Sequence, residues 1–88
     1  MLKYKYKIIR AMKKLSLIQL KANQKGKVIE IDAGAGLKYR LLSMGIYPGR
    51  EITKLSHFVL RGPIAIKVGN SVLGLGHGMA SKIIVEVL

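Results

Sequence analysis

The stretch YRLLSMGIYPG, residues 39–49, limits what this chain can fold into more than any other part of it. With the residues just before it, it places Leu37, Leu41 and Met44 at a spacing that brings all three to one face of a helix. Gly45 ends that helix, because glycine adopts the left-handed conformation of a helix C-terminus at little cost. Two residues on, Tyr47-Pro48-Gly49-Arg50 carries Pro and Gly where a type II turn requires them. The helix is therefore short, and the chain must reverse at once into its next element.

What surrounds the helix reads as strand. In KVIEI, Lys27, Ile29 and Ile31 alternate with Val28, Glu30 and Asp32, after a break over residues 23–26. Ala33-Gly34-Ala35-Gly36 is a loop in which Gly36 serves as the helix N-cap. A strand over residues 50–58 follows the turn, and its alternation slips between Ile52 and Leu55, which predicts a bulge. After Gly62-Pro63, the segment IAIKV sets Ile64, Ile66 and Val68 on one face, and Gly69-Asn70 makes a hairpin turn into SVLGL. Residues 76–80 form a tight connection of one helical turn, and residues 83–88 are the last strand. About five short strands and one short helix predict a mostly β fold, a small and strongly bent barrel whose closure removes exposed edges. The barrel domain is expected over residues 15–88, with Leu15, Leu17, Ile18 and Leu20 as an apolar turn tucked against its core. Residues 1–14, which include KYKYK, form a basic N-terminal arm.

Charge narrows the partners. Sixteen Lys and Arg against four acids give a formal net charge of +12, a field that favours nucleic acid, anionic lipid or an acidic protein face. Lys3, Lys5, Lys7, Arg10, Lys13 and Lys14 all precede the first acid, Glu30. At about 1 kcal/mol per cation beside an anionic membrane, the arm predicts a peripheral membrane contact, set against the reading of a solvated tail. Tyr4, Tyr6 and Tyr39 offer stacking surfaces for bases, but no signature of an RNA-binding module accompanies them, so nucleic acid is not the favoured partner. The absence of cysteine excludes disulfides, thiolate metal sites and a cysteine nucleophile. No run approaches the roughly 20 apolar residues of a membrane span, and a cytoplasmic protein is expected.

The helix also points to a surface. Arg40 lies beside the buried stripe, where its stem can pack while its guanidinium reaches backbone carbonyls, or where it can meet a partner. Tyr39 and Leu42 point the other way, with Lys38 and Ser43. Leaving Leu42 wet forgoes about 1.5–3 kcal/mol of burial. Single exposed leucines are ordinary; the alternative is a docking patch of Tyr39, Leu42 and Tyr47 rimmed by Lys38 and Arg50.

Other chemistry finds little support. His57 and His77 are candidate metal ligands beside Asp32, Glu30, Glu51 and Glu86, yet the histidines lie far apart and no metal or other cofactor is expected. Gly74-x-Gly76-x-Gly78 lacks the spacing and the Gly-Lys-Ser/Thr of a nucleotide cradle and reads as bends at a barrel corner. Asp32 is the sole Asp and no serine sits in a nucleophile elbow, so no enzyme is expected.

Taken in order, these residues resemble the FeoA family, small cytosolic proteins that accompany the FeoB ferrous-iron transporter. The resemblance runs through Leu17-x-x-Leu20 and Gly26-x-Val28-x-x-Ile31 to its most specific part, Arg40-Leu41-x-x-Met44-Gly45-Ile46-x-Pro48-Gly49. It continues through Gly62-Pro63-Ile64-x-Ile66 and Ala80-x-x-Ile83-x-Val85, covering about residues 15–87. It implies an SH3-like barrel that regulates or assists ferrous-iron uptake by binding the FeoB-type transporter GTPase, with no catalysis of its own. Gly76 and Met79 stand where the family often carries Arg and Glu, so any contact made there is in question. The alternatives are a basic nucleic-acid-binding barrel, or a metal-sensor-type domain docking on a repressor, since a similar barrel is appended to iron-dependent repressors.

Overall fold

Short β-branched runs separated by tight turns leave each strand only one stable option, pairing with neighbours across a core they jointly bury. The computed structural model describes residues 14–57 and 62–88, with the side chain of His57 left out. Of the basic arm expected over residues 1–14, only Lys14 is among the described residues.

Among the described residues, six strands form one sheet: β1 (Lys14–Ser16), β2 (Lys25–Ile31), β3 (Glu51–His57), β4 (Ile64–Val68), β5 (Ser71–Leu75) and β6 (Ile83–Val87). Their order across the sheet is β1-β6-β2-β3-β4-β5, and every neighbouring pair is antiparallel. Two α-helical segments, α1 (Ala35–Ser43) and α2 (His77–Ala80), and a 3-10 turn (Leu17–Gln19) complete the order. The mostly β architecture matches the sequence expectation, with β1 as an additional strand. Lys14, which composition groups with the arm, opens β1 opposite Glu86.

Strand lengths and faces follow from two bulges. In β3, Lys54 pairs with Ile66 and Ser56 with Ala65, so Leu55 is the extra residue at the slip expected there. In β2, Val28 pairs with Val85 and Glu30 with Ile84, leaving Ile29 as a second extra residue. That bulge lets Val28 and Ile31 both face inward, where simple alternation would send them to opposite faces. Gly69-Asn70 joins β4 to β5 as the hairpin turn read from the sequence.

The core draws on every part of the sheet. Leu17, Leu41, Ile46, Ile64, Ile66, Ile83 and Val85 are fully buried together. Gly26 allows a close approach within the core: a Cβ there would sit 3.0 Å from Val85 Cβ and 3.1 Å from Leu20 Cδ1. Among the described residues, one cation shares this interior. Lys54 is wholly buried, and its Nζ donates to the carbonyl oxygens of Ile18 and Leu20, each at 2.5 Å. Burial holds its pKa below the ordinary lysine value. The same strand binds the preceding loop through its backbone, with Asn23 N–H to Lys54 O at 2.6 Å and Lys54 N–H to Gln24 O at 3.0 Å. The first turn of the domain is thus tied to β3 by main chain and side chain together.

The helix begins earlier than expected. Gly34 is the N-cap, with extended φ/ψ of −72° and 176°, and its carbonyl accepts from Lys38 N–H at 3.2 Å, so Gly36 lies within the first turn instead of capping it. The cause is local: Ala33 N–H turns back to Ile31 O at 3.0 Å, and the chain is aligned for helix as soon as it passes Gly34.

Candidate docking face

Helix α1 is built with two different sides. Leu41 is fully buried, and Leu37 and Met44 pack half-buried against the core, as their spacing predicts. Ala35, Lys38, Tyr39 and Leu42 all face outward. Tyr39 is 71% exposed, Leu42 53% and Tyr47 37%.

The helix exit holds this surface in place. Gly45, at φ 83°, takes the left-handed conformation, and Ile46 N–H returns to Leu41 O at 2.9 Å. Gly49, at φ 96°, completes the Tyr47–Arg50 turn, closed by Arg50 N–H to Tyr47 O at 3.0 Å. The turn is then stitched to β2 by Gly49 N–H to Val28 O at 2.7 Å and Val28 N–H to Arg50 O at 2.8 Å. Arg50 caps the arrangement: its Nη1 donates to the Tyr47 hydroxyl at 3.2 Å, and its guanidinium carbon lies 5.8 Å from the centre of the Tyr47 ring. The other side of that guanidinium closes on Gly69, where a Cβ would lie 2.6 Å from Nη2.

Two concavities flank Leu42. One, of about 270 Å³, is lined by Glu30, Ile31, Lys38, Leu42, Ile46, Tyr47 and Pro48. The other, of about 260 Å³, is lined by Ala35, Lys38, Tyr39 and Leu42. The residues expected to form a docking patch therefore lie together, with Lys38 shared between the hollows and Arg50 bracing Tyr47 from behind. Arg40 is exposed too, but about 160° around α1 from Leu42, its carbonyl accepting from Ser43 Oγ at 2.6 Å. The buried cation that fastens backbone carbonyls is Lys54, which sequence reasoning missed. The signal was available: Lys54 shares the inward register of Ile52 in β3.

The remaining candidates do not assemble. His77 begins α2 half-buried, and the His57 side chain lies outside the described part. Among the described residues, no three of His, Cys, Asp and Glu gather where they could hold a metal ion. Gly74 lies in β5 and Gly76 is the extended N-cap of α2, so the glycine string forms a strand-to-helix bend. Met79 packs against the core from α2. Among the described residues, no helix is long and apolar enough to cross a membrane.

A family model described as the FeoA domain matches residues 15–87. This chain belongs to the FeoA family. A relative from Methanocaldococcus jannaschii, named Fe(2+) transport protein A, is 41% identical over 59 residues, 67% of this chain and 70% of that one. The crystal structure of an iron uptake regulatory protein, FeoA, superposes with a TM-score of 0.79 at 32% identity, covering 88% of this chain and all of that one. The FeoA fold is the SH3-like small barrel, and the six-stranded sheet with its short helix is that fold. A manganese-dependent transcriptional repressor shares the fold alone, with a TM-score of 0.78 at 23% identity over 86% of this chain and 42% of its own length. The matched residues include the whole of α1 and the turn that follows it.

Proposed function

We propose that this FeoA protein is a cytoplasmic accessory or regulatory component of ferrous-iron uptake, acting by binding a FeoB-type membrane transporter GTPase and not by catalysis. The observation that carries the reading is the face of Tyr39, Leu42 and Tyr47, left exposed on a helix and its following turn while Leu41 on the opposite side is buried, with Leu37 and Met44 packed half-buried beside it. The name of the M. jannaschii relative supports the process, and the exposed face supports action by contact. A regulator of this kind must bind one transporter conformation more tightly than another, since equal affinity for both shifts nothing. The excess of basic residues adds attraction toward acidic protein surfaces and toward the anionic inner face of the membrane.

The test is complementation. Cells lacking the protein should lose ferrous uptake, regain it with the wild-type chain, and fail to regain it with Leu42→Asp, while the purified variant keeps its fold. Unchanged uptake on deletion under ferrous conditions, or full rescue by folded Leu42→Asp, would refute the proposal.

A further inference from the structure

We infer that the partner element seated on this face is an acidic amphipathic helix that straddles Leu42. The inference rests on the docking reading above and specifies the chemistry of the occupant. Ala35, Lys38, Tyr39 and Leu42 fall at positions i, i+3, i+4 and i+7 of α1, and all four are exposed. The helix therefore carries a second stripe in addition to the buried one through Leu41. A lone exposed leucine needs no explanation, but a stripe bordered by two hollows does.

Shape selects a helix. Leu42 is a ridge lining both hollows, with Ile46, Tyr47 and Pro48 beyond it on one side and Ala35 and Tyr39 on the other. At about 270 and 260 Å³ the hollows fall below the roughly 300–1,000 Å³ of small-molecule sites, and suit single side chains. Two side chains at i and i+3 or i+4 of one helix stand about 5–6 Å apart on one face and can enter the two hollows together. An extended segment would need a row of free backbone groups to pair with, whereas helix and turn side chains make most of this face and β2 adds Glu30 and Ile31, both of which pair with β6.

Charge selects an acidic one. Lys38 is the cation of this face, on a chain of net charge +12; Arg40 stands on the far side of α1 and Arg50 is engaged with Tyr47. Glu30 is the acid lining the larger hollow, and Lys38 lines both. The complementary helix carries apolar anchors at its centre and a carboxylate placed toward Lys38, away from Glu30. Such a pattern fixes orientation and speeds association as well as adding affinity.

The experiment titrates the isotope-labelled full chain with overlapping synthetic peptides spanning the cytosolic segments of a FeoB-type transporter. Phosphatidylglycerol vesicles and the purified transporter in detergent are titrated in parallel. The expected result is one acidic peptide that becomes helical on binding and shifts the amides of residues 35–42 and 46–47. Lys38→Glu should weaken it at least tenfold and Lys38→Met less. Exchanging the peptide's facing acid for lysine should restore binding to Lys38→Glu. Amide shifts elsewhere in the chain report whether each variant is folded. A peptide that binds in extended form, affinity indifferent to the charge at Lys38, or response to vesicles alone would overturn the helical occupant. So would capture of the transporter with no peptide binding, which leaves the docking reading standing. Failure of the transporter itself to bind removes both.

Discussion

Replacing Lys54 by Met keeps the length of its apolar stem and removes the ammonium that serves the carbonyls of Ile18 and Leu20. Hydrogen bonds to a charged group contribute about 1.5–3 kcal/mol each, and a buried acceptor left unpaired costs about 1–3 kcal/mol. Against this stands relief of the desolvation of a wholly buried cation, several kcal/mol in the same direction that lowers its pKa. With the Leu20 carbonyl stranded in the interior and the Ile18 carbonyl only part-buried, the net expectation is a loss of roughly 1–3 kcal/mol, a sizeable part of the 5–15 kcal/mol typical of a domain. Lys54→Ala also deletes three methylenes of buried stem at about 0.8 kcal/mol each, so it should be worse by roughly 2 kcal/mol. The sign with pH is defined. Because the native pKa lies below the unfolded value of about 10.4, the unfolded chain holds more protons between the two. Wild-type stability should therefore rise with pH across that window relative to Lys54→Met, and the difference should be flat below the native pKa. Urea unfolding of both variants from neutral to alkaline pH measures all three quantities. A Lys54→Met protein as stable as wild type would refute the argument that this cation holds the first turn against β3. A stability difference that falls as pH rises would show that pairing outweighs desolvation.

Two glycines should fail for different reasons. Gly26→Ala should cost about 1–3 kcal/mol by overpacking against Val85 and Leu20, with a shift in denaturation midpoint and no change in the docking face. Gly45→Ala meets only ordinary contact, with Val68 Cγ1 at 3.5 Å, so its expected loss of about 1–2 kcal/mol comes from the left-handed backbone; an unchanged midpoint would place the strain elsewhere. Equilibrium dialysis against ferrous ion should show no stoichiometric binding that His77→Ala abolishes; such binding would establish a metal function for that histidine.

The parts legible in the sequence were those decided within a few residues. Gly45, the Pro48-Gly49 turn and the Gly69-Asn70 hairpin each require particular backbone angles, and the residues that supply them stand at the right places. The outward stripe was legible too, because a helix that buries Leu37, Leu41 and Met44 leaves Tyr39 and Leu42 nowhere to go but outside. What escaped was set by distant partners. The β2 bulge at Ile29 exists because β6 requires both Val28 and Ile31 inside, and nothing in KVIEI announces it. Lys54 was read past because a strand lysine normally faces water; its burial is fixed by carbonyls more than thirty residues earlier in the chain. The hollows beside Leu42 depend on β2 and the turn meeting α1, a tertiary fact with no local signature.

Leu41 and Leu42 are identical neighbours with opposite assignments, one sealed in the interior and one displayed. Successive residues of a helix are about 100° apart, so deleting a single residue early in α1 would turn Leu42 into the interior place of Leu41 and bring Ser43 to the outer place of Leu42. The interior would still receive a leucine, and the protein could remain well expressed while its contact surface was rotated out of reach. Variation in this family is therefore expected to tolerate substitutions across the helix far better than changes in its length, and a screen that scores only solubility would miss the difference.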